Sequence, residues 1–193
     1  MRIVMTAAAL ACIAAPAVAE MGEYQLDPEH TVVYFTVEHI GYAKTLGIFR
    51  GIEGRFQYDP ATQDLGDVTV TINAKSVDTF NEARDAHVRK PDFLHVTQHP
   101  EITFAANGGN AETATSGTVT GDLTILGETR PVTLDVTLNK MAPYPFGHQR
   151  ETLGLSLETS IKRSDFGMTY GVANGLVGDT VDIFIETEAM RME

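Results

Sequence analysis

Cysteine is nearly absent from this chain of 193 residues, tryptophan is absent, and positive charge is scarce. A single Cys, Cys12, cannot close an internal disulfide or build a multi-thiolate metal site. The 14 Lys and Arg stand against 26 Asp and Glu, giving a formal charge of -12. So acidic a surface repels phosphate backbones, which excludes nucleic acid as an expected partner. No apolar run reaches the ~18–20 residues of a spanning helix. No Gly-x-Ser-x-Gly elbow occurs, which removes the commonest serine-hydrolase signature. What remains is ordinary globular composition, 43% hydrophobic and 21% charged, which excludes a disordered chain.

The first residues, MRIVMTAAALACIAAPAVA, carry one charge, Arg2, then an apolar stretch from about Ala7 to Ala15 and a break at Pro16. Ala17-Val18-Ala19 is a small-x-small cleavage pattern, so 1–19 reads as a secretory signal peptide cleaved after Ala19. The mature chain is then 20–193, without cysteine, and the expected location is the periplasm. A lipid anchor on Cys12 is the rival reading. It needs Leu three residues upstream, where Ala9 stands, and it puts Cys12 inside the apolar part of the signal.

The mature chain alternates. In Val32–His39, Val33, Phe35, Val37 and His39 share one face while Tyr34, Thr36 and Glu38 share the other. Period two predicts a strand with one buried face. Residues 68–74, 132–138 and 181–186 repeat the pattern, and 48–58, 101–106, 117–126 and 153–162 are further strand candidates. Asp59-Pro60, Leu65-Gly66-Asp67, Asn107–Asn110 and Leu126-Gly127-Glu128 are expected to reverse the chain. Residues 139–152, with Pro143, Pro145 and Gly147, read as a loop. Roughly eight strands at this spacing predict an antiparallel sheet closed into a barrel or sandwich, which leaves no open edge. One helix interrupts them. Thr79-Phe80-Asn81-Glu82 fits a capping box with Thr79 as the cap and Glu82 reaching back, and Pro91 ends the segment.

Chemistry-bearing groups are few. His95 and His99 have helical metal-ligand spacing, with His87 near in sequence, but Pro100 pulls His99 out of helical conformation, so the expectation is loop histidines and no metal. Arg84, Asp85 and His87 read either as a salt-bridged structural cluster or as contacts to a polar head group. Arg163 and Asp165 pose the same choice. His39 is either a core histidine or a polar residue at the mouth of an apolar cavity.

Several ordered segments resemble one family. They are His30–His39, Gly47-Ile48-Phe49-Arg50-Gly51, Ser76–Thr79, Arg84-Asp85-Ala86-His87-Val88, Asp92-Phe93 and Pro100–Phe104. Gly121–Val132, Ile161–Met168 and Val177–Val181 continue the series. The chain is similar to the YceI-like family of periplasmic polyisoprenoid-binding proteins along essentially the whole mature chain. The departures are His95 and His99 within 94–99 and Val88 after His87.

The resemblance implies an all-β fold, an eight-stranded antiparallel lipocalin-like barrel with one short helical insertion. It implies a binding protein rather than an enzyme, holding a long isoprenoid lipid or isoprenoid quinone as ligand, with no other cofactor. Transient contact with a membrane or a membrane redox protein, and a homodimer, are implied in the same way. Strand parity gives the expected lining: Val33, Phe35, Val37, Phe49, Val70, Ile72, Phe104, Leu123, Val132, Leu134, Ile183 and Ile185, with His39, Phe93, Phe166 and Met168 near an opening. Two other functions fit a cavity of this kind. One is binding of a different amphiphile such as a fatty amide. The other is a hydrolase using His39 or His87 as base, with Asp85 orienting it.

Overall fold

The computed structural model describes residues 21–192. The predicted leader, with Cys12 and the cleavage after Ala19, lies outside the described residues. Eleven strands and one helix follow in order: β1 (Gly22–Leu26), β2 (Val32–His39), β3 (Ala43–Phe49), β4 (Ile52–Asp59), β5 (Asp64–Asn73), α1 (Glu82–Val88), β6 (Glu101–Ala106), β7 (Asn110–Ala111), β8 (Ser116–Ile125), β9 (Glu128–Pro143), β10 (Glu151–Lys162) and β11 (Val177–Arg191).

Eight of them, β1, β4, β5, β6, β8, β9, β10 and β11, form a closed antiparallel ring, because β1 pairs with β4 on one side and β11 on the other. Toward the opposite end of the barrel, β2 takes over from β1 beside β11, and β3 pairs with β2. The eight-stranded barrel is therefore the observed fold, with its first two staves broken in mid-length. Residues 48–58, expected as one strand, are the end of β3 and all of β4. At the break the Ser76 hydroxyl oxygen accepts from the backbone N–H of Arg50 at 3.2 Å and of Gly51 at 3.1 Å, replacing a neighbouring strand. Past the break the free side of β3 meets the rest of the chain through one backbone pair, Ile48 with Asp78.

Three other expectations change. Leu65-Gly66-Asp67 does not reverse the chain. It lies inside β5, opposite a register shift between Arg55 and Gln57, and Asp67 takes a left-handed φ of 48°. The loop expected at 139–152 shrinks to 144–150, because β9 runs to Pro143 and pairs there with Glu151 at the start of β10. Proline is tolerated at a strand's last position, where no ladder N–H is needed. Strand β1 was not foreseen, since GEYQL is short and has no β-branched residue.

Helix α1 is capped by Asn81, not Thr79. The Asn81 side-chain oxygen accepts from the Arg84 N–H at 3.0 Å. Thr79 instead donates both its N–H and its hydroxyl to the buried Asp85 carboxylate. Burial pushes the Asp85 carboxyl up, but the Thr79 hydrogen bonds and nearby Arg89 and Arg84 outweigh it and hold it below the usual carboxylate range. The helix is thus tied across its own entry turn. It contributes Arg84, His87 and Val88 to the wall of the interior, and Val77 and Leu94 on either side of it in the chain are buried.

Candidate ligand cavity

Inside the barrel is a cavity of about 630 Å³, within the ~300–1,000 Å³ typical of small-molecule sites. The alternation of the strands builds it. Val33, Phe35 and Val37 of β2 point inward beside Val181, Ile183 and Ile185 of β11. Val70 and Ile72 of β5, Phe104 of β6, Leu123 of β8, and Val132 and Leu134 of β9 carry the wall round.

Two glycines keep the lumen open. A Cβ on Gly47 would lie 2.3 Å from the ring of Phe35, its cross-strand partner. A Cβ on Gly121 would lie 2.5 Å from the ring of Phe104 and 2.5 Å from the Ala105 carbonyl oxygen. Both rings therefore lie against the wall, over a neighbour without a side chain, instead of projecting into the centre.

All sixteen residues expected from the sequence line this cavity: the twelve from strand parity, and also His39, Phe93, Phe166 and Met168. Parity found them because one register slip would have turned each set outward. The strand expected at 153–162 is present as β10, but none of its residues was in the expected lining. Leu155, Leu157, Thr159 and Ile161 also face the lumen, and the Leu-x-Leu-x-Leu run from Leu153 was the available signal. The expected lining also missed Phe56, Leu65, Val119 and Val136, which lie lower in the barrel.

The polarity of the lining is uneven. Deep in the barrel the buried hydroxyls of Thr31 and Thr187 share a hydrogen bond at 2.7 Å, and Thr31 also bonds the Asp27 carbonyl at 2.6 Å. The ionisable side chains on the lining, Glu38, His39, Arg84, His87 and Arg163, together with Tyr170, gather at one end. That end is formed by the β2–β3 turn, the segment around α1 and the loop before β11. These parts touch: the Ile40 N–H donates to the Leu176 carbonyl at 3.2 Å, and the His87 ring stands edge-on to Phe93 and Tyr170 at 5.1 and 5.3 Å.

His39 is exposed at this mouth, so it is not a core histidine. Arg84, Asp85 and His87 do not form a salt-bridged cluster. Arg84 donates to the Thr79 hydroxyl oxygen at 2.9 Å and to the Thr79 carbonyl, while His87 pairs with Asp92 at 2.9 Å. Arg163, only 3% exposed, does not pair with Asp165 either. It donates to the carbonyls of Gly178, Met168, Tyr170 and Val177 at 2.7–2.9 Å and lies 5.9 Å from the centre of the Phe93 ring. Burial pushes its pKa down, with Asp179 opposing. Both guanidiniums thus hold loops through uncharged oxygens, and their charge faces the mouth unneutralised by a hydrogen-bonded carboxylate.

His87, His95 and His99 do not converge on a metal. Among the described residues the one set of three potential ligand atoms within 4.8 Å of one another is Asp27, His30 and Glu188, outside the cavity lining. Ser164 donates its hydroxyl to Asp179 at 2.8 Å and Ser160 to Asp182 at 2.7 Å.

The YceI-like domain matches residues 24–189. The chain belongs to the YceI-like family. It is 35% identical over 191 residues to Protein YceI of Shigella flexneri, covering 98% of this chain and 96% of that one. The crystal structure of the YCEI protein of Campylobacter jejuni superposes with a TM-score of 0.73 at 30% identity, covering 81% of this chain and 90% of the other. A polyisoprenoid-binding domain from Saccharophagus degradans shares the fold, with a TM-score of 0.64 at 16% identity over 88% of this chain and 98% of that domain. The YceI-like membership agrees with the closed barrel.

Proposed function

We propose that this YceI-like protein is an exported, periplasmic carrier that holds a long isoprenoid lipid, either a polyprenyl chain or an isoprenoid quinone, with its tail in the barrel and its head at the mouth. The observation that carries the reading is the separation of polarity: a long apolar lumen whose ionisable groups all stand at one end. A tail buried there gains roughly 0.8 kcal/mol per CH₂ removed from water. The acceptor oxygens of a quinone or a related head group would meet Arg84, His39 and His87, which offer donors at the mouth. The leader ending at Ala19 supports export. The half-exposed Ile40, Tyr170 and Leu176 on the rim, with Tyr42 and Phe80 beside them, offer an apolar contact for a membrane during exchange.

The test is organic extraction of the protein purified from its native periplasm, followed by mass spectrometry. A stoichiometric polyprenyl or quinone species is the expected result. A fatty amide in its place would keep the cavity and change the ligand class. A delipidated protein that takes up no isoprenoid offered to it would refute the carrier reading.

A further inference from the structure

Below the main cavity lies a second one of about 120 Å³. Five side chains line both: Phe56, Leu65, Val119, Val136 and Leu155, from β4, β5, β8, β9 and β10. The lumen is therefore interrupted by a single layer of side chains with open space on each of its two faces. Phe56 is the largest member and the most firmly held. It is 8% exposed and lies nearly parallel to the ring of Tyr24, with centroids 5.4 Å apart. Tyr24 is fully buried and donates its hydroxyl to Glu151 at 2.6 Å.

The lower compartment has no charged side chain in its lining. Tyr58, Leu138 and Leu153 form its apolar side, and residues 109–111 and 114–118 form its outer wall. It therefore suits hydrocarbon and not an ionised head group, which fixes the direction of any chain that reaches it: tail downward, head at the mouth. A layer of this kind is also poorly supported. Atoms facing a void lose their dispersion partners on that side, and filling the void with apolar groups recovers them.

We propose that this layer is a length gauge. It sets how long a tail the main cavity accepts, and the lower compartment is the extension that a longer tail enters when the layer is thinned. The proposal rests on the reading that the main cavity holds a long apolar tail. Phe56 is the determining residue, because it is the largest side chain bordering both cavities and its ring is backed by Tyr24. Leu155 is the secondary one.

The experiment uses the delipidated mature chain as wild type, Phe56→Ala, Phe56→Leu and the outer-face control Thr120→Ala. Each is offered an equimolar mixture of polyprenyl alcohols of graded length, and the bound fraction is extracted and weighed by mass spectrometry. Wild type and Thr120→Ala should share one upper length. Phe56→Ala should move that limit up by at least one isoprene unit, with the ratio of longer to shorter bound alcohol rising about tenfold or more, as burial of an added apolar unit predicts. Phe56→Leu should shift it in the same direction by less, and it carries the test if the alanine variant does not fold. A wild type with a length limit that neither Phe56 variant moves overturns the gauge and leaves the carrier reading standing. A wild type that binds none of the alcohols overturns both.

Discussion

Replacing Arg163 with alanine should loosen the mouth before it unfolds the barrel. Arg163 is 3% exposed, and its guanidinium donates four hydrogen bonds of 2.7–2.9 Å to the carbonyls of Met168, Tyr170, Val177 and Gly178. Hydrogen bonds from a charged donor contribute about 1.5–3 kcal/mol each, which taken alone would sum to more than half of a typical domain's stability. Two effects reduce that figure. The arginine itself is disfavoured by burial, as its lowered pKa indicates, so removing it recovers part of its desolvation cost. Half-exposed loop residues such as Tyr170 can also give their carbonyls back to water. The net loss expected on breaking such a buried charged network is about 3–5 kcal/mol. Arg163→Lys should lose less, because an ammonium reaches fewer of the four acceptors than the planar fork does. The assay is urea unfolding, with hydrogen exchange read across 163–178. Exchange there should rise more than in β8 and β9, and affinity for the tail-bearing ligand should fall because Met168, Tyr170, Leu176 and Val177 lose their anchor. A loss under about 1 kcal/mol with unchanged loop exchange would refute the reasoning, since surface substitutions alone reach only about half that.

Three further outcomes are expected. Ile40 and Gly41 both have positive φ, 52° and 71°, as a type I′ hairpin turn requires. Isoleucine is strained there, so Ile40→Asn should raise stability by about 1 kcal/mol in thermal or urea unfolding, and a loss would contradict the strain. Gly121→Ala should cost about 1–3 kcal/mol and shrink the bound ligand fraction, because the new Cβ meets both a backbone oxygen and the Phe104 ring; unaltered stability would mean the ring moves freely. The pair Asp27–His30, 2.7 Å apart, gives a pH signature. The Asp27 hydrogen bond raises the His30 pKa, while burial pushes Asp27 up and the His30 and Glu29 hydrogen bonds more than reverse it. The His30 contribution is complete below its unfolded pKa of about 6.5 and fades as pH rises through the higher folded value. That of Asp27 is complete above its unfolded pKa of about 3.9 and is lost as pH falls through the lower folded value. The urea-midpoint gap between wild type and His30→Ala should therefore be widest near pH ~5 and narrow on both sides; a flat difference would refute it.

Most of the wall was legible because a two-residue period needs only a few residues to declare itself. Val33-x-Phe35-x-Val37 and Ile183-x-Ile185 fix their own faces, and the closed barrel then requires those faces to meet. The breaks in the staves were not legible. They depend on Ser76, far along the chain, accepting from Arg50 and Gly51, and no local propensity encodes a partner that far away. The helix cap failed for a related reason. Thr79 has the right type and spacing for a cap, but Asp85 claims it, and Asn81 supplies the cap two residues later. At the mouth, residue types were visible while their roles were not. Arg163 beside Asp165 reads as an ion pair in sequence and is a carbonyl clamp in space.

The single tie between Ile48 and Asp78 makes the barrel uneven along its circumference. Elsewhere neighbouring staves are joined by ladders several pairs long, whereas the backbone pairing here is two hydrogen bonds of 2.9 and 3.0 Å, beside the exposed Arg50–Asp78 ion pair at 2.9 Å. At a net value of about 1 kcal/mol per bond, parting it costs far less than the ~5–15 kcal/mol of global unfolding. The two amides should therefore exchange with solvent well ahead of those in β5 or β9. Solvent entry to the interior should then begin along this one longitudinal line, ahead of the rest of the circumference.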